Sequence, residues 1–196
     1  MDNIKSAREI ALEKVESLGE ATNEERLGWR YVPEGERLAA RYLKQDCNLT
    51  AELDKYEAAA RGYVAAGASD ILIRNIGLPR NDLAKKNSRR AMDGLKELKG
   101  DKVAAENVFS KMRRVFSHYA GQGEQQRRQA YESLKAEFEL RMQQAVQQQL
   151  GSGMRVRVDV EGQPQFREEW HKLQAQLDAQ YLKLLEEYRQ ELMAID

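Results

Sequence analysis

The sequence predicts an all-α protein, and three observations carry that prediction. The chain has 23 Ala, 21 Leu and 16 Gln, whereas Val, Ile and Thr together number only 18. Straight-chain residues favour helix and β-branched residues favour strand. Only 3 prolines interrupt the 196 residues, and apolar residues recur at helical spacing. The full prediction is an N-terminal helical bundle in residues 1–120, followed by a long antiparallel helical hairpin in residues 121–196.

Capping residues and helix breakers divide the N-terminal part into about six helices. The first covers residues 3–18. Thr22 and Glu25 have the form of a capping box, which opens a short second helix. That helix is predicted to end before Pro33, and Pro33 then begins a third helix as its first residue. The remaining three helices are predicted to end at Arg74, Leu98 and Tyr119.

Residues 124–150 and 164–195 each carry one long apolar stripe. In the second stripe Phe166, Leu177 and Tyr188 lie 11 residues apart. An 11-residue hydrophobic repeat corresponds to about 3.67 residues per turn, which predicts a nearly straight, faintly right-handed coil. The two stripes are therefore predicted to pack as antiparallel partners in a coiled coil. Each helix would be about 40–45 Å long.

Segment 154–160 is predicted to form a strand. This strand would be a short β-like tip between the two long helices. Its alternating apolar residues would share one face, and these candidate interaction residues are Met154, Val156, Val158 and Val160. A lone strand leaves its backbone groups unpaired, and the turn that follows is too short to supply a local partner. Three alternatives follow: pairing with the same segment of a second subunit, pairing with another protein's edge strand, or a strand-like loop across the chain's own helices.

Charge is unevenly distributed along a chain whose formal net charge is zero. Residues 80–128 have a net charge of +7, whereas the segments before and after them have −3 and −4. The candidate basic patch in this segment comprises Lys85, Lys86, Arg89, Arg90, Lys111, Arg113 and Arg114. Such a patch suits phosphates, an acidic protein or an acidic membrane surface. The alternative is an internal electrostatic match with the acidic flanks.

Two further groups of residues stand out in the N-terminal part. A candidate binding corner gathers aromatic and arginine side chains around the predicted junction at Pro33, namely Trp29, Arg30, Tyr31, Arg37 and Arg41. This combination is typical of binding hot spots, and equally of an anchored helix corner. Ala58, Gly62 and Ala66 repeat every four residues, which predicts the tightest helix crossing. A Gly62→Leu substitution is therefore expected to disrupt packing.

Patterns that would support catalysis or metal binding are sparse. Glycine-rich nucleotide loops and a nucleophile elbow are missing from the sequence. Glu168 and His171 form one Glu-x-x-His motif, whereas a di-iron bundle needs two. The single cysteine, Cys47, excludes internal disulfides and multi-cysteine metal sites. The sequence therefore predicts a non-enzymatic protein with no catalytic residues, cofactor or metal.

The predicted function is that of a cytoplasmic interaction or scaffold protein. No window approaches the roughly 18 consecutive apolar residues of a membrane span, and residues 1–10 lack an apolar signal-peptide core. Self-association through the hairpin or its tip is expected, with a dimer favoured. The alternative is a nucleic-acid-associated protein that uses the basic segment 85–114. Against that alternative, no aromatic residues interleave with the cations for base stacking.

Overall fold

Helices account for the regular structure. The computed structural model describes residues 21–45, 47–150 and 159–195. Within those ranges 84% of the residues are helical and none forms a strand, which confirms the all-α prediction. The helices are α1 (Asn23–Lys44), α2 (Leu49–Leu53), α3 (Ala58–Arg74), α4 (Asp82–Leu98), α5 (Lys102–Ala120), α6 (Gln122–Leu150) and α7 (Pro164–Met193). None of these described helices combines the length and apolar character that a membrane span needs.

The chain divides into two compact units, and the division falls between Leu72 and Ile73. The first unit contains α1, α2 and most of α3, and the second contains α4 to α7. The predicted division into one domain at residues 1–120 and another at residues 121–196 stays a prediction.

In the first unit, α1 begins at the predicted capping box but runs straight through Pro33. The Thr22 hydroxyl accepts a hydrogen bond from the Glu25 amide at 3.2 Å, and the Glu25 carboxylate accepts one from the Thr22 amide at 2.8 Å. A proline inside a helix removes one backbone hydrogen bond and crowds the carbonyl four residues earlier. Here Arg37 Nε donates to the Pro33 carbonyl at 3.2 Å, and buried residues follow directly along the helix. The predicted break before Pro33 is therefore wrong.

Two glycines mark the closest approach of α1 and α3. A Cβ atom on Gly67 would overlap the Val32 carbonyl oxygen and lie 3.0 Å from the Val32 carbonyl carbon. A Cβ atom on Gly35 would overlap the Val64 carbonyl oxygen. Only glycine fits where two backbones come this close. Packing beside Pro33 thus fixes α1 on α3 and explains why the helix persists through the proline.

The small-residue stripe predicted for this crossing lies on the wrong face of α3. Ala58, Gly62 and Ala66 are exposed, and a Cβ atom on Gly62 would meet nothing within 4 Å. The buried face is offset by two residues and consists of Ala60, Val64, Ala68 and Leu72. Since a helix turns about 100° per residue, an offset of two nearly reverses the direction of the side chain. The structure therefore contradicts the expectation that Gly62→Leu disrupts packing.

In the second unit, α4 and α5 are joined by the short connection at residues 99–101. Asn81 caps α4 through a 2.8 Å bond from the Ala84 amide, and Asp101 caps α5 through bonds from the Val103 and Ala104 amides. A short connection makes the two helices antiparallel neighbours. Their buried side chains include Ala91, Leu95, Ala105, Phe109 and Met112.

The long helices α6 and α7 pack against each other in opposite directions. Tyr131 packs edge-on against Trp170, with ring centroids 5.1 Å apart, and Phe138 against Phe166 at 5.4 Å. Along these contacts the residue numbers increase in α6 and decrease in α7, so the two helices are antiparallel. At about 1.5 Å per residue, α6 and α7 are each about 45 Å long.

The buried face of α7 differs in part from the predicted stripe. Leu184, which lies on that stripe, is 40% exposed, whereas the neighbouring Leu185 is 1% exposed. Asp178, Leu185 and Leu192 are all buried and lie seven residues apart. A charged residue therefore occupies an interior position outside the predicted stripe.

Most of the predicted β-like tip lies outside the described residues, including Met154, Val156 and Val158. Asp159 belongs to no strand, and its side chain accepts a hydrogen bond from the Gly162 amide at 3.1 Å in a turn. Val160 is 2% exposed and packs with Phe138 and Phe166. Its side chain is therefore buried between α6 and α7.

Candidate functional site

A groove of about 1000 Å³ runs along α4 and α5 in the second unit. Apolar side chains line part of it, namely Pro79, Met92, Phe116 and Ala120. Five cations also line it, namely Arg80, Lys85, Arg89, Lys96 and Arg113, against only two acids, Asp82 and Asp93. The groove therefore combines apolar surface with an excess of positive charge.

At one end of the groove, Lys96 and Arg113 share a single carboxylate. Both side chains form ion pairs with Glu106 of α5. Hydrogen bonds from Lys96 and then Arg113 hold the pKa of the Glu106 carboxyl below its usual range. Because this pKa is lowered, the stabilising contribution is present above the unfolded-state pKa and is lost as pH falls through the folded-state pKa. At neutral pH the Glu106 carboxylate thus offsets one of these two positive charges.

The centre of the groove is different, because its cations have no such partner. Lys85 and Arg89 lie one turn apart on α4 and are both exposed. Neither makes an ion pair with any residue in the described part of the chain. These two side chains leave their positive charge available to a ligand.

At the other end, Arg80 is held by a buried acid. Arg80 Nη2 donates to Asp178 Oδ2 at 2.8 Å, and the two residues are 98 positions apart. Asp178 is 1% exposed, whereas the Arg80 side chain is 55% exposed. The Tyr119 hydroxyl donates to the same oxygen at 3.3 Å. The groove therefore ends on an arginine that is anchored from inside the bundle.

A second arginine, Arg127, completes the buried cluster around Asp178. Its guanidinium carbon lies 3.9 Å from the centre of the Tyr119 ring, and its Nη2 donates to the Tyr119 carbonyl at 3.1 Å. Arg127 Nη1 and Asp178 Oδ1 are 3.8 Å apart, and Glu124 pairs with Arg127 from the surface at 2.8 Å. Burial, and then the charge of Asp178, raises the pKa of the Tyr119 hydroxyl. Tyr119 thus acts here as a neutral hydrogen-bond donor.

The remaining members of the predicted basic patch do not line the groove. Lys86 and Arg114 are exposed elsewhere on α4 and α5, and Arg90 is half-buried. Lys111 pairs with Glu191 of α7 at 2.7 Å and lies 5.6 Å from the centre of the Tyr188 ring. The structure thus brings Lys85, Arg89 and Arg113 together and leaves the other four outside.

The predicted binding corner separates into two places on the first unit. Trp29 is 70% exposed on α1, and the Arg30 guanidinium lies 5.1 Å from the Tyr31 ring centre. Arg37 and Arg41 line a separate cavity of about 320 Å³. That cavity is also lined by Glu34, Leu38, Glu52 and Tyr56, and Arg41 pairs with Glu52 at 2.7 Å. Its charges are therefore internally balanced.

Metal binding and the Glu-x-x-His motif receive no support from side-chain positions. Glu168 pairs with Lys172 at 2.6 Å, and His171 is exposed. Among the residues that the structure describes, no group of three or more His, Cys, Asp or Glu side chains is placed to hold a metal ion. Cys47 is a free, half-buried thiol.

Sequence reasoning missed Arg80, Lys96 and Asp178. Arg80 directly follows Pro79 and belongs to no helical charge pattern. Asp178 carries a faint signal, because it lies seven residues before Leu185 and so repeats the position of a buried apolar residue. An acid in register with a buried face is a sign of an internal ion pair.

Fold and site together define an all-α protein with a cationic interhelical groove. Residues 50–194 match the model of a family described as a family of unknown function, DUF6657. The chain belongs to this family, and the matched region contains the whole groove. No curated protein and no solved structure matches the chain.

Proposed function

We propose that this chain is a non-enzymatic interaction protein whose groove between α4 and α5 binds an acidic segment of a partner protein. One observation carries the proposal: Lys85 and Arg89 are exposed without an ion-pair partner in the described structure, beside the apolar surface of Met92 and Phe116. A segment with carboxylates and apolar side chains would satisfy both features.

The composition of the groove favours a protein segment over a nucleic acid. Asp82 and Asp93 interrupt the positive lining, so the groove lacks the continuous cationic surface that follows a nucleic-acid backbone. Phe116 is the one aromatic residue among the lining side chains, and base stacking uses several aromatic platforms. Glu106 and Glu191 already compensate some of the cations that the sequence assigned to a phosphate-binding patch.

Charge reversal in the centre of the groove is the direct test. A fluorescein-labelled amphipathic helical peptide of glutamate and leucine serves as the probe, and its binding is followed by fluorescence anisotropy. Replacing Lys85 and Arg89 by glutamate is expected to weaken binding by about a hundredfold, because like charges then face the ligand. Lys86→Glu is the matched control, since Lys86 is exposed on α4 but outside the groove.

Three outcomes would contradict the proposal. The first is equal binding by the double variant, and the second is equal binding of a probe with glutamine in place of glutamate. The third is tighter binding of a single-stranded oligonucleotide that is lost on Lys86→Glu and Arg90→Glu, which would support the nucleic-acid alternative instead.

Glu106 competes with the ligand for two of the groove's cations. Replacing it with glutamine is expected to strengthen binding of the same peptide by about two- to fivefold, because Lys96 and Arg113 would then turn to the ligand. Lys111 and its partner Glu191 provide the control pair, and Glu191→Gln is expected to leave peptide affinity unchanged. A weaker complex with Glu106→Gln would show that Glu106 organises the groove instead of competing with its ligand.

We further propose that α6 and α7 form the predicted hairpin with its 11-residue repeat, and that the protein self-associates as a dimer. Leu182 and Leu184, which are 44% and 40% exposed on α7, support an apolar contact surface. Native mass spectrometry is expected to detect the dimer, and Val156→Lys with Val158→Lys is expected to disperse it while preserving helicity. A dimer that survives both substitutions would remove the tip from the proposed interface.

A further inference from the structure

We infer that Arg80 is the carboxylate-binding end of the groove and that Asp178 is the residue that positions it. This inference rests on the proposed function, because it specifies how the groove would receive its acidic ligand. Arg80 lines the groove and makes one 2.8 Å hydrogen bond inward to Asp178, while 55% of its side-chain surface is exposed.

The geometry of the Arg80 guanidinium allows it to bind two carboxylates. A guanidinium group is a planar fork with five N–H donors, and it binds carboxylates through two parallel bonds. Asp178 occupies one part of the Arg80 fork from inside the bundle. The exposed part keeps donors available on the groove side, so that Arg80 is able to bind a second carboxylate there.

Arg80 is held at both its side chain and its backbone. Asp178 lies within the long helix α7, and its side chain is 2% exposed. Arg80 follows Pro79, whose ring fixes the backbone angle φ, and its amide donates to the Leu78 carbonyl at 2.8 Å. An arginine that is held at both its backbone and its head group loses less conformational entropy on binding.

The charge that faces the groove comes from Arg80. The carboxylate of Asp178 is shared by two guanidinium groups, because Arg127 Nη1 lies 3.8 Å from its other oxygen. Arg127 is 9% exposed and also pairs with Glu124 from the surface, whereas Arg80 lines the groove with its side chain 55% exposed. Two acids thus accompany two arginines in the cluster, and the positive charge on the groove side is that of the exposed part of the Arg80 guanidinium, which favours an anionic ligand group.

The positions of the cations also define the ligand class. Lys85 and Arg89 lie one turn apart on α4, and Arg80 lies just before the first residue of that helix, Asp82. The ligand class is therefore an acidic protein segment with one carboxylate for Arg80 and another for Lys85 and Arg89.

The test is a double-mutant cycle on peptide binding, measured by isothermal titration calorimetry with the glutamate–leucine peptide. Arg80→Gln is expected to weaken binding about tenfold, and Arg80→Lys by about threefold, because lysine keeps the charge but loses the fork. Asp178→Asn is expected to weaken binding about as much as Arg80→Gln does. It is expected to add nothing in the Arg80→Gln background, because a positioning residue acts only through the side chain that it positions.

Several outcomes would overturn the inference. Wild-type affinity in Arg80→Gln would remove Arg80 from the site, and an additive effect of Asp178→Asn would reduce Asp178 to a structural role. If Asp178→Asn fails to fold by circular dichroism, Tyr119→Phe replaces it in the cycle, since the Tyr119 hydroxyl binds the same carboxylate oxygen. If substitution of Lys85 weakens peptide binding and substitution of Arg80 does not, this inference alone is overturned. If substitution of Lys85 leaves peptide binding unchanged, the proposed function is overturned.

Discussion

Replacing Gly67 with alanine is expected to lower the free energy of unfolding of the first unit by about 3 kcal/mol. The added Cβ would overlap the Val32 carbonyl oxygen of α1. A backbone oxygen moves only if the helix moves, so α1 and α3 would have to separate along their crossing. Gly35→Ala is expected to have a similar effect, because its Cβ would lie 2.8 Å from the Ala68 amide nitrogen.

The control for this prediction lies on the same helix. Gly62→Ala is expected to raise the free energy of unfolding by about 0.5–1 kcal/mol, because Gly62 is exposed, its Cβ would meet nothing, and alanine favours helix. Urea-dependent amide hydrogen exchange of the full chain, followed in α1 and α3, measures both changes in the free energy of unfolding. Equal protection in Gly67→Ala and Gly62→Ala would contradict the close crossing.

Replacing Asp178 with alanine is expected to lower the free energy of unfolding of the second unit by about 3–5 kcal/mol. Removing this carboxylate leaves Arg127 buried, at 9% exposed, with the surface acid Glu124 as its one ionic partner among the described residues. The hydroxyl of Tyr119 would lose its acceptor as well. Urea denaturation measures the change through the fluorescence of Trp170, in a Trp29→Phe background that removes the signal of the first unit.

Glu124→Ala is the matched control for Asp178→Ala, because both acids pair with Arg127. The Glu124 side chain is 67% exposed, and exposed ion pairs contribute about 0–1 kcal/mol. The loss in the free energy of unfolding should therefore be several times larger for Asp178→Ala than for Glu124→Ala. Similar losses from both would show that Asp178 does not hold a buried cluster together.

The helices were predictable because their signals are local. Capping at Thr22 and Asp101 depends on residues within one turn, and the skew toward Ala, Leu and Gln acts at every position. The helix through Pro33 was not predictable, because packing of α1 on Gly67 overrides the local preference of proline. The wrong face was predicted to be buried on α3 for a similar reason. The spacing of small residues shows that they share one face of the helix, but it does not show which face a neighbouring helix covers.

The groove was predictable in its chemistry but not in its limits. The concentration of cations in residues 80–128 is a property of the sequence, and Lys85, Arg89 and Arg113 do meet along the groove. The pair formed by Arg80 and Asp178 joins positions 98 residues apart. Such a pair depends on how α7 packs in the second unit, so the local signal at Asp178 does not identify Arg80 as its partner.

The most direct test of the groove as a binding site is a two-dimensional amide NMR titration of the full chain with the glutamate–leucine peptide. Shift changes are expected to concentrate at Lys85, Arg89 and Phe116, and to diminish as salt concentration rises. Lys86 and Arg114, which lie outside the groove, should change little. Shift changes centred outside α4 and α5, or no saturable changes at all, would contradict the claim that the groove is a binding site for acidic protein segments.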